Sequence, residues 1–202
     1  MTTRADVHTL FAYSAAGRSR SVLTRGAVVA LAVAVTALAA QFTMPLPFTA
    51  VPFTFGPMAV VLVGAVLGAR LGALSQVSYV VLGALGVAVF APSPTLAPGL
   101  ARLVGPTGGY LLAYPLAAAV VGWLSERGWD RRYVTSLAAM LAGLAVIYLG
   151  GVSWLAVGIL HSWPAALAGG LVPFAALDVA KAVVAAAMLP AIWRGLGAAR
   201  VR

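Results

Sequence analysis

Charge is almost absent from the interior of this chain, and that absence constrains the fold more than any other feature. No Asp, Glu, Lys or Arg stands between Arg25 and Arg70, between Arg70 and Arg102, between Arg102 and Glu126, or between Arg132 and Asp178. Only 8% of the residues are charged and 62% are hydrophobic, against about 25% charged in a typical soluble domain. The mean hydropathy is +1.02. Lipid accommodates that much apolar surface, and helices satisfy their backbone polar groups there without water. The expectation is an all-α integral membrane protein, placed in the cell membrane as a multi-pass bundle.

The charge-free stretches divide into six candidate transmembrane segments at 26–43, 54–69, 71–90, 107–125, 133–153 and 172–193. A spanning helix needs about 20 apolar residues. The expected organisation is a cytoplasmic tail over 1–25, a six-helix bundle over 26–193 and a second cytoplasmic tail over 194–202. Arg18, Arg20 and Arg25 ahead of an apolar run that includes "ALAA" (37–40) resemble a signal peptide. The further apolar segments favour a retained helix instead.

Of the thirteen basic residues, eleven fall at one side of this arrangement: Arg4, Arg18, Arg20 and Arg25, then Arg70, then Arg127, Arg131 and Arg132, then Arg194, Arg200 and Arg202. Positive residues concentrate in cytoplasmic loops, so both termini are expected inside. Topology accounts for the net charge of +9 without invoking nucleic acid. Two basic residues remain, Arg102 and Lys181, together with Asp178. All three fall toward the outer side.

Asp178 and Lys181 stand three residues apart and share one helix face. A charge at the centre of a membrane helix costs about 2.5–3.5 kcal/mol on insertion scales. Two readings follow: a self-neutralising structural pair, or the polar end of a ligand cavity. Arg102 is either a solvated loop charge or the captor of a ligand carboxylate.

The outer loops carry further signals. "MPLPFTAVPFTFGP" (44–57) holds four prolines and no charge. Only twelve residues separate Pro57 from Arg70, roughly 18 Å of helix against a core of roughly 30 Å. Non-helical backbone at membrane depth is tolerated where it lines a cavity, so this segment is expected to cap a pocket. "GPTGGY" (105–110) opens the fourth segment, with Thr107 as the expected helix cap. It is not a phosphate-binding loop, because no Gly-Lys-Ser/Thr follows. No ATPase motif occurs in these 202 residues, so ATP-driven function needs another subunit. Small residues recur at four-residue spacing in the first segment as Gly26, Ala30, Ala34 and as Ala32, Thr36, Ala40, a pattern that permits close helix approach. There are no cysteines, and His8 and His161 are far apart; no metal site, cofactor or catalytic constellation is expected.

The segments "PLPFTAVPFTF" (45–55), "GAVLGARLGALSQVSYVVLGALGVAVFA" (64–91), "LVGPTGGYLLAYPLAA" (103–118) and "LDVAKA" (177–182) follow one another as in a known family. Through most of its length the chain resembles the BioY family, the biotin-specific substrate-binding (S) components of energy-coupling-factor (ECF) transporters. The resemblance implies an S-component fold of six transmembrane helices, no enzymatic activity, and biotin held near the outer surface. It implies Asp178 and Lys181 as polar contacts, with Tyr79 and Tyr110 at matching motif positions. Arg102 would then hold the biotin carboxylate, and Phe53, Phe90 and Tyr79 the apolar middle. It also implies partners, a transmembrane T component and two ATPase subunits, docking along the Ala30 and Ala34 face. One departure is "TFGPMAV" (54–60), where Gly56 and Pro57 offer no polar side chain. The alternatives are a self-contained secondary carrier, an S component for another vitamin, or a structural subunit in which Asp178 and Lys181 only pack helices.

Overall fold

The fold is described from a computed structural model covering residues 9–10, 22–93 and 96–200, with side chains to Gly195. The expected tail over 1–25 lies largely outside the described residues, with Arg4, Arg18 and Arg20, as does Arg202.

Most of the described chain is helical. In order it runs α1 (Val22–Gln41), β1 (Thr43–Met44), β2 (Phe53–Thr54), α2 (Gly56–Leu67), α3 (Ala69–Ala84), α4 (Ala101–Val104), α5 (Gly108–Glu126), α6 (Tyr133–Trp154), α7 (Trp163–Gly170) and α8 (Val172–Arg200). Four of these are long and apolar enough to cross a membrane: α1, α5, α6 with its extension to Ile159, and α8 up to Gly195. Each of the six segments expected from the sequence overlaps one helix, but the second and third overrun theirs, since α2 stops at Leu67 and α3 at Ala84; α4 and α7 are short additions.

α5 is the central element. It packs against α2, α3 and α6, and α6 packs in turn against α8. Its Tyr110, Ala117, Ala118 and Val121 join Val60, Tyr79, Met140 and Ile147 in one continuous core.

α2 ends in a tight turn at Gly68. Gly68 has φ +84°, a left-handed backbone that residues with a Cβ adopt at a cost. The chain restarts at once as α3, whose first N–H, on Ala69, donates to Glu126 Oε1 at 2.8 Å. At the other end, α2 begins at Gly56 with Pro57 in its first turn. Proline is tolerated there because that N–H has no intrahelical partner. α2 therefore spans 12 residues, about 18 Å by its rise.

α1 uses its two small-residue stripes differently. Ala32, Thr36 and Ala40 are buried, and a polar cluster joins that face to α3. Thr36 donates to Ala32 O at 3.0 Å and accepts from Gln76 Nε2 at 3.1 Å, with Gln76 fully enclosed. Gly26, Ala30 and Ala34 lie on the exposed side of the helix.

Candidate functional site

The segment between α1 and α2 folds over one end of the bundle. Thr43 pairs with Thr54 and Met44 with Phe53 in a short antiparallel ladder, which closes residues 45–52 into a hairpin loop. Pro45, Pro47 and Pro52 prevent this stretch from continuing either helix. Two side chains fasten it to the rest of the bundle. Thr49 Oγ1 donates to Gly169 O at 2.6 Å, and Lys181 Nζ donates to Thr54 O at 2.8 Å.

Beneath the loop lie two small cavities, of about 70 Å³ and about 40 Å³. Val51, Pro52, Thr54, Pro57 and Tyr110 border both, so the loop and Tyr110 form the wall between them. Small-molecule sites occupy roughly 300–1,000 Å³. As it stands the region is closed down, and a ligand of that class requires the shared wall to move.

The larger cavity has a cationic side. Arg102, carried on α4, lines it with Tyr79, Phe90, Thr107, Tyr110 and Tyr114. Arg102 is only 7% exposed, so it is not a solvated loop charge. Its Nη2 donates to Ala91 O at 2.7 Å, and its buried Nε has no hydrogen-bond partner among the described residues. Burial pushes the guanidinium below its ordinary pKa, an effect that Tyr79 partly opposes. A desolvated cation without a facing carboxylate is a natural seat for an anion. Tyr79 is pinned through its hydroxyl to Val89 O at 3.1 Å. Its ring meets Phe90 edge-on at 5.4 Å and stacks on Tyr114 at 6.2 Å. Thr107 does occupy the cap position of α5, but its hydroxyl donates to Arg102 O at 3.3 Å instead of capping the helix.

The smaller cavity has an anionic side. Asp178 lines it with Phe53, Tyr110, Ile147, Tyr148 and Phe174. Lys181 Nζ meets Asp178 Oδ1 at 2.7 Å, and the two side chains are 10% and 7% exposed. The ammonium also lies 3.7 Å from the centre of the Phe53 ring and 4.8 Å from that of Phe55, positions that favour a cation electrostatically. Tyr148 Oη donates to the other oxygen, Asp178 Oδ2, at 2.6 Å. The pair is thus neutralised internally in this closed state, and Lys181 lies between Asp178 and the loop without bordering either cavity.

Tyr110 joins the two halves. Its hydroxyl donates to Gly170 O at 2.8 Å, and its ring stands edge-on to Tyr148 at 6.4 Å. The ring lies where a Cβ on Gly151 would be, so that position in α6 admits only glycine without displacing Tyr110.

Asp178, Arg102, Tyr79, Tyr110, Phe53 and Phe90 therefore gather around the two adjoining cavities, with Lys181 behind Asp178. Ala30 and Ala34 are elsewhere, on the outer face of α1. Two neighbours escaped the sequence reading. Tyr114 follows Tyr110 by one helical turn and so shares its face. Tyr148 is a phenol in a long apolar helix, where a hydroxyl needs a partner; that was the available signal.

The BioY family profile matches residues 10–198. The chain is 42% identical over 158 residues to the probable biotin transporter BioY of Pyrococcus horikoshii, covering 78% of this chain and 89% of that protein. It is 42% identical over 141 residues to the biotin transporter BioY of Thermotoga maritima, covering 70% and 80%. With that of Rhizobium etli it shares 36% over 157 residues, covering 74% and 82%. Among solved structures, the S-component for biotin from an ECF-type ABC transporter superposes with a TM-score of 0.75 at 21% identity, covering 85% of this chain and 92% of that one. The fold is thus that of an S component, and the proteins it resembles are transporter components, not enzymes.

Proposed function

The chain belongs to the BioY family, and from that membership we propose that it captures biotin at the outer face of the cell membrane for uptake powered by partner subunits. In this reading six segments span the membrane: α1, α2, α3, α5, α6 and α8, with α2 and α3 completed by the loop regions at their ends. Both termini are cytoplasmic, as the placement of eleven of thirteen basic residues supports. ATP hydrolysis belongs to two ATPase subunits and coupling to a T component. The exposed Ala30 and Ala34 stripe of α1 is the surface offered to that partner, since small residues let a second helix approach closely.

The observation that carries the substrate assignment is the polarity of the two adjoining cavities. One ends in the Asp178 carboxylate, the other in the Arg102 guanidinium, and aromatic rings lie around both. Biotin has the matching order of groups: a ureido ring with two N–H donors and a carbonyl, an apolar sulfur ring and chain, and a carboxylate. Asp178 accepts from the ureido N–H, Lys181 donates to the ureido carbonyl once the loop has moved, and Arg102 pairs with the carboxylate. The rings of Tyr79, Phe90, Phe53 and Tyr110 enclose the middle. A ligand that lacks the ureido pattern leaves buried groups unpaired, at about 1–3 kcal/mol each.

The test is equilibrium binding of biotin and of its uncharged amide to purified protein and to Arg102→Gln. Wild type is expected to bind biotin and to bind the amide about tenfold or more weaker, because a hydrogen bond to a charged group is worth about 1.5–3 kcal/mol. Arg102→Gln is expected to bind both ligands about equally. Failure of wild type to bind biotin would refute the function, and a preference for biotin retained in Arg102→Gln would refute the carboxylate assignment.

A further inference from the structure

Tyr148 lies outside the four segments that carry the family resemblance, yet it makes the shortest contact to the only acidic side chain among the described residues at the site. Its hydroxyl reaches Asp178 Oδ2 at 2.6 Å, and it borders the same cavity as Asp178. It comes from α6, whereas Asp178 and Lys181 both come from α8. Asp178 is consequently held from two directions. Lys181 takes Oδ1 from within the same helix, and Tyr148 takes Oδ2 from across the helix interface.

This arrangement has a chemical consequence. A carboxylate held at one oxygen alone can rotate about its terminal bond, a broad torsion in a side chain of this kind. With both oxygens engaged, its plane is fixed and the remaining lone pairs have fixed directions. The Tyr148 proton is committed to Asp178, so what Tyr148 Oη can still offer a ligand is an acceptor. The cavity wall thus presents two acceptors side by side, 2.6 Å apart. Such a wall selects neighbouring N–H donors and repels a carbonyl or an alkylated nitrogen. Tyr148 is itself held in place, since its ring meets Tyr110 edge-on and Tyr110 is tied to Gly170 O.

Resting on the biotin reading, we propose that Tyr148 is a positioning and specificity residue, which orients the Asp178 carboxylate so that the site demands N–H donors from the ureido ring. The test is a cycle of binding measurements on wild type, Tyr148→Phe, Asp178→Asn and the double variant. Each is measured with biotin, with desthiobiotin, which keeps the ureido ring, and with biotin methylated on the ureido nitrogens. Phenylalanine preserves the ring and its contact with Tyr110, and gel filtration in detergent verifies that each variant is folded.

Tyr148→Phe is expected to weaken biotin and desthiobiotin alike by about 10–100-fold, the range for a hydrogen bond to a charged group. It is expected to change the N-methylated ligand by less than about threefold, within the scatter of additive effects. In the Asp178→Asn background the same substitution is expected to cost less than about threefold with biotin. An equal loss for all three ligands, or an undiminished loss without the Asp178 carboxylate, would show a packing role and overturn the inference. No loss for biotin overturns it as well. If wild type binds no biotin, the underlying functional reading fails too, and a different pattern of results identifies that failure.

Discussion

Asp178→Ala is expected to weaken biotin binding by about 10–100-fold, because the ureido N–H loses a charged acceptor worth about 1.5–3 kcal/mol. It also leaves Lys181 buried with no counter-charge beside Thr54 O and the Phe53 and Phe55 rings. Breaking a buried ion pair from one side costs the folded protein about 3–5 kcal/mol whether or not ligand is bound. The same substitution is therefore expected to lower Tm in detergent by several degrees without ligand. Asp178→Asn keeps the shape and an acceptor oxygen, so it is expected to be milder on both counts. Isothermal titration and thermal melting of the two variants measure this. Wild-type affinity in Asp178→Ala would remove the carboxylate from the site.

The second large effect concerns the loop. Lys181→Met keeps the length of the side chain and removes the ammonium. Thr54 O then loses its donor and Asp178 loses its cation, while the bond from Thr49 to Gly169 is left. The loop over the cavities should open more often. The chain contains no cysteine, so Val51→Cys introduces a single thiol at a buried position that borders both cavities. Its reaction with a water-soluble maleimide follows the open population, because only the opened segment is accessible. A rise of at least about tenfold is expected in the Lys181→Met background, equivalent to about 1.4 kcal/mol lost from the closed state. Biotin is expected to slow labelling in the Val51→Cys protein with Lys181 intact. An unchanged rate in Lys181→Met would mean that Lys181 does not fasten the loop.

Lys181 thus has two partners in the closed state, Asp178 and the loop, and in the proposed binding mode the ureido carbonyl would compete with them for the same three ammonium hydrogens. The cavities total far less than the volume of a small-molecule site, so ligand entry and release of the loop are linked. Interactions that hold an empty site closed subtract from apparent affinity, because the competent state is only fractionally populated.

Much of this was legible in the sequence because the bilayer is a demanding solvent. A helix that crosses hydrocarbon excludes charge, so the charge-free runs mark the helices, and six expected segments overlap six of the helices observed. Pro57 and Gly68 mark the ends of α2 for local reasons, a missing N–H and a left-handed backbone. Asp178 and Lys181 stand out because nothing else explains their place in an apolar helix. Pairing within that helix follows from spacing alone, and the structure has the salt bridge at 2.7 Å.

The rest depends on contacts between residues distant in the chain. Sequence spacing relates Asp178 to Lys181, but not Asp178 to Tyr148, 30 residues earlier, or Lys181 to Thr54, 127 residues earlier. The two small-residue stripes of α1 are alike in composition. Only packing against α3 decides that Thr36 faces inward and Ala34 outward. Arg102 read equally well as a solvated charge until the fold placed it beside Tyr79 and Phe90, 7% exposed. The lipid environment, the helices and the anomalous charges were all readable from local sequence, since they follow from the local cost of placing each residue in lipid. Tertiary structure alone decided which groups meet, because a cavity is defined by side chains from five or more elements and no local pattern encodes their convergence.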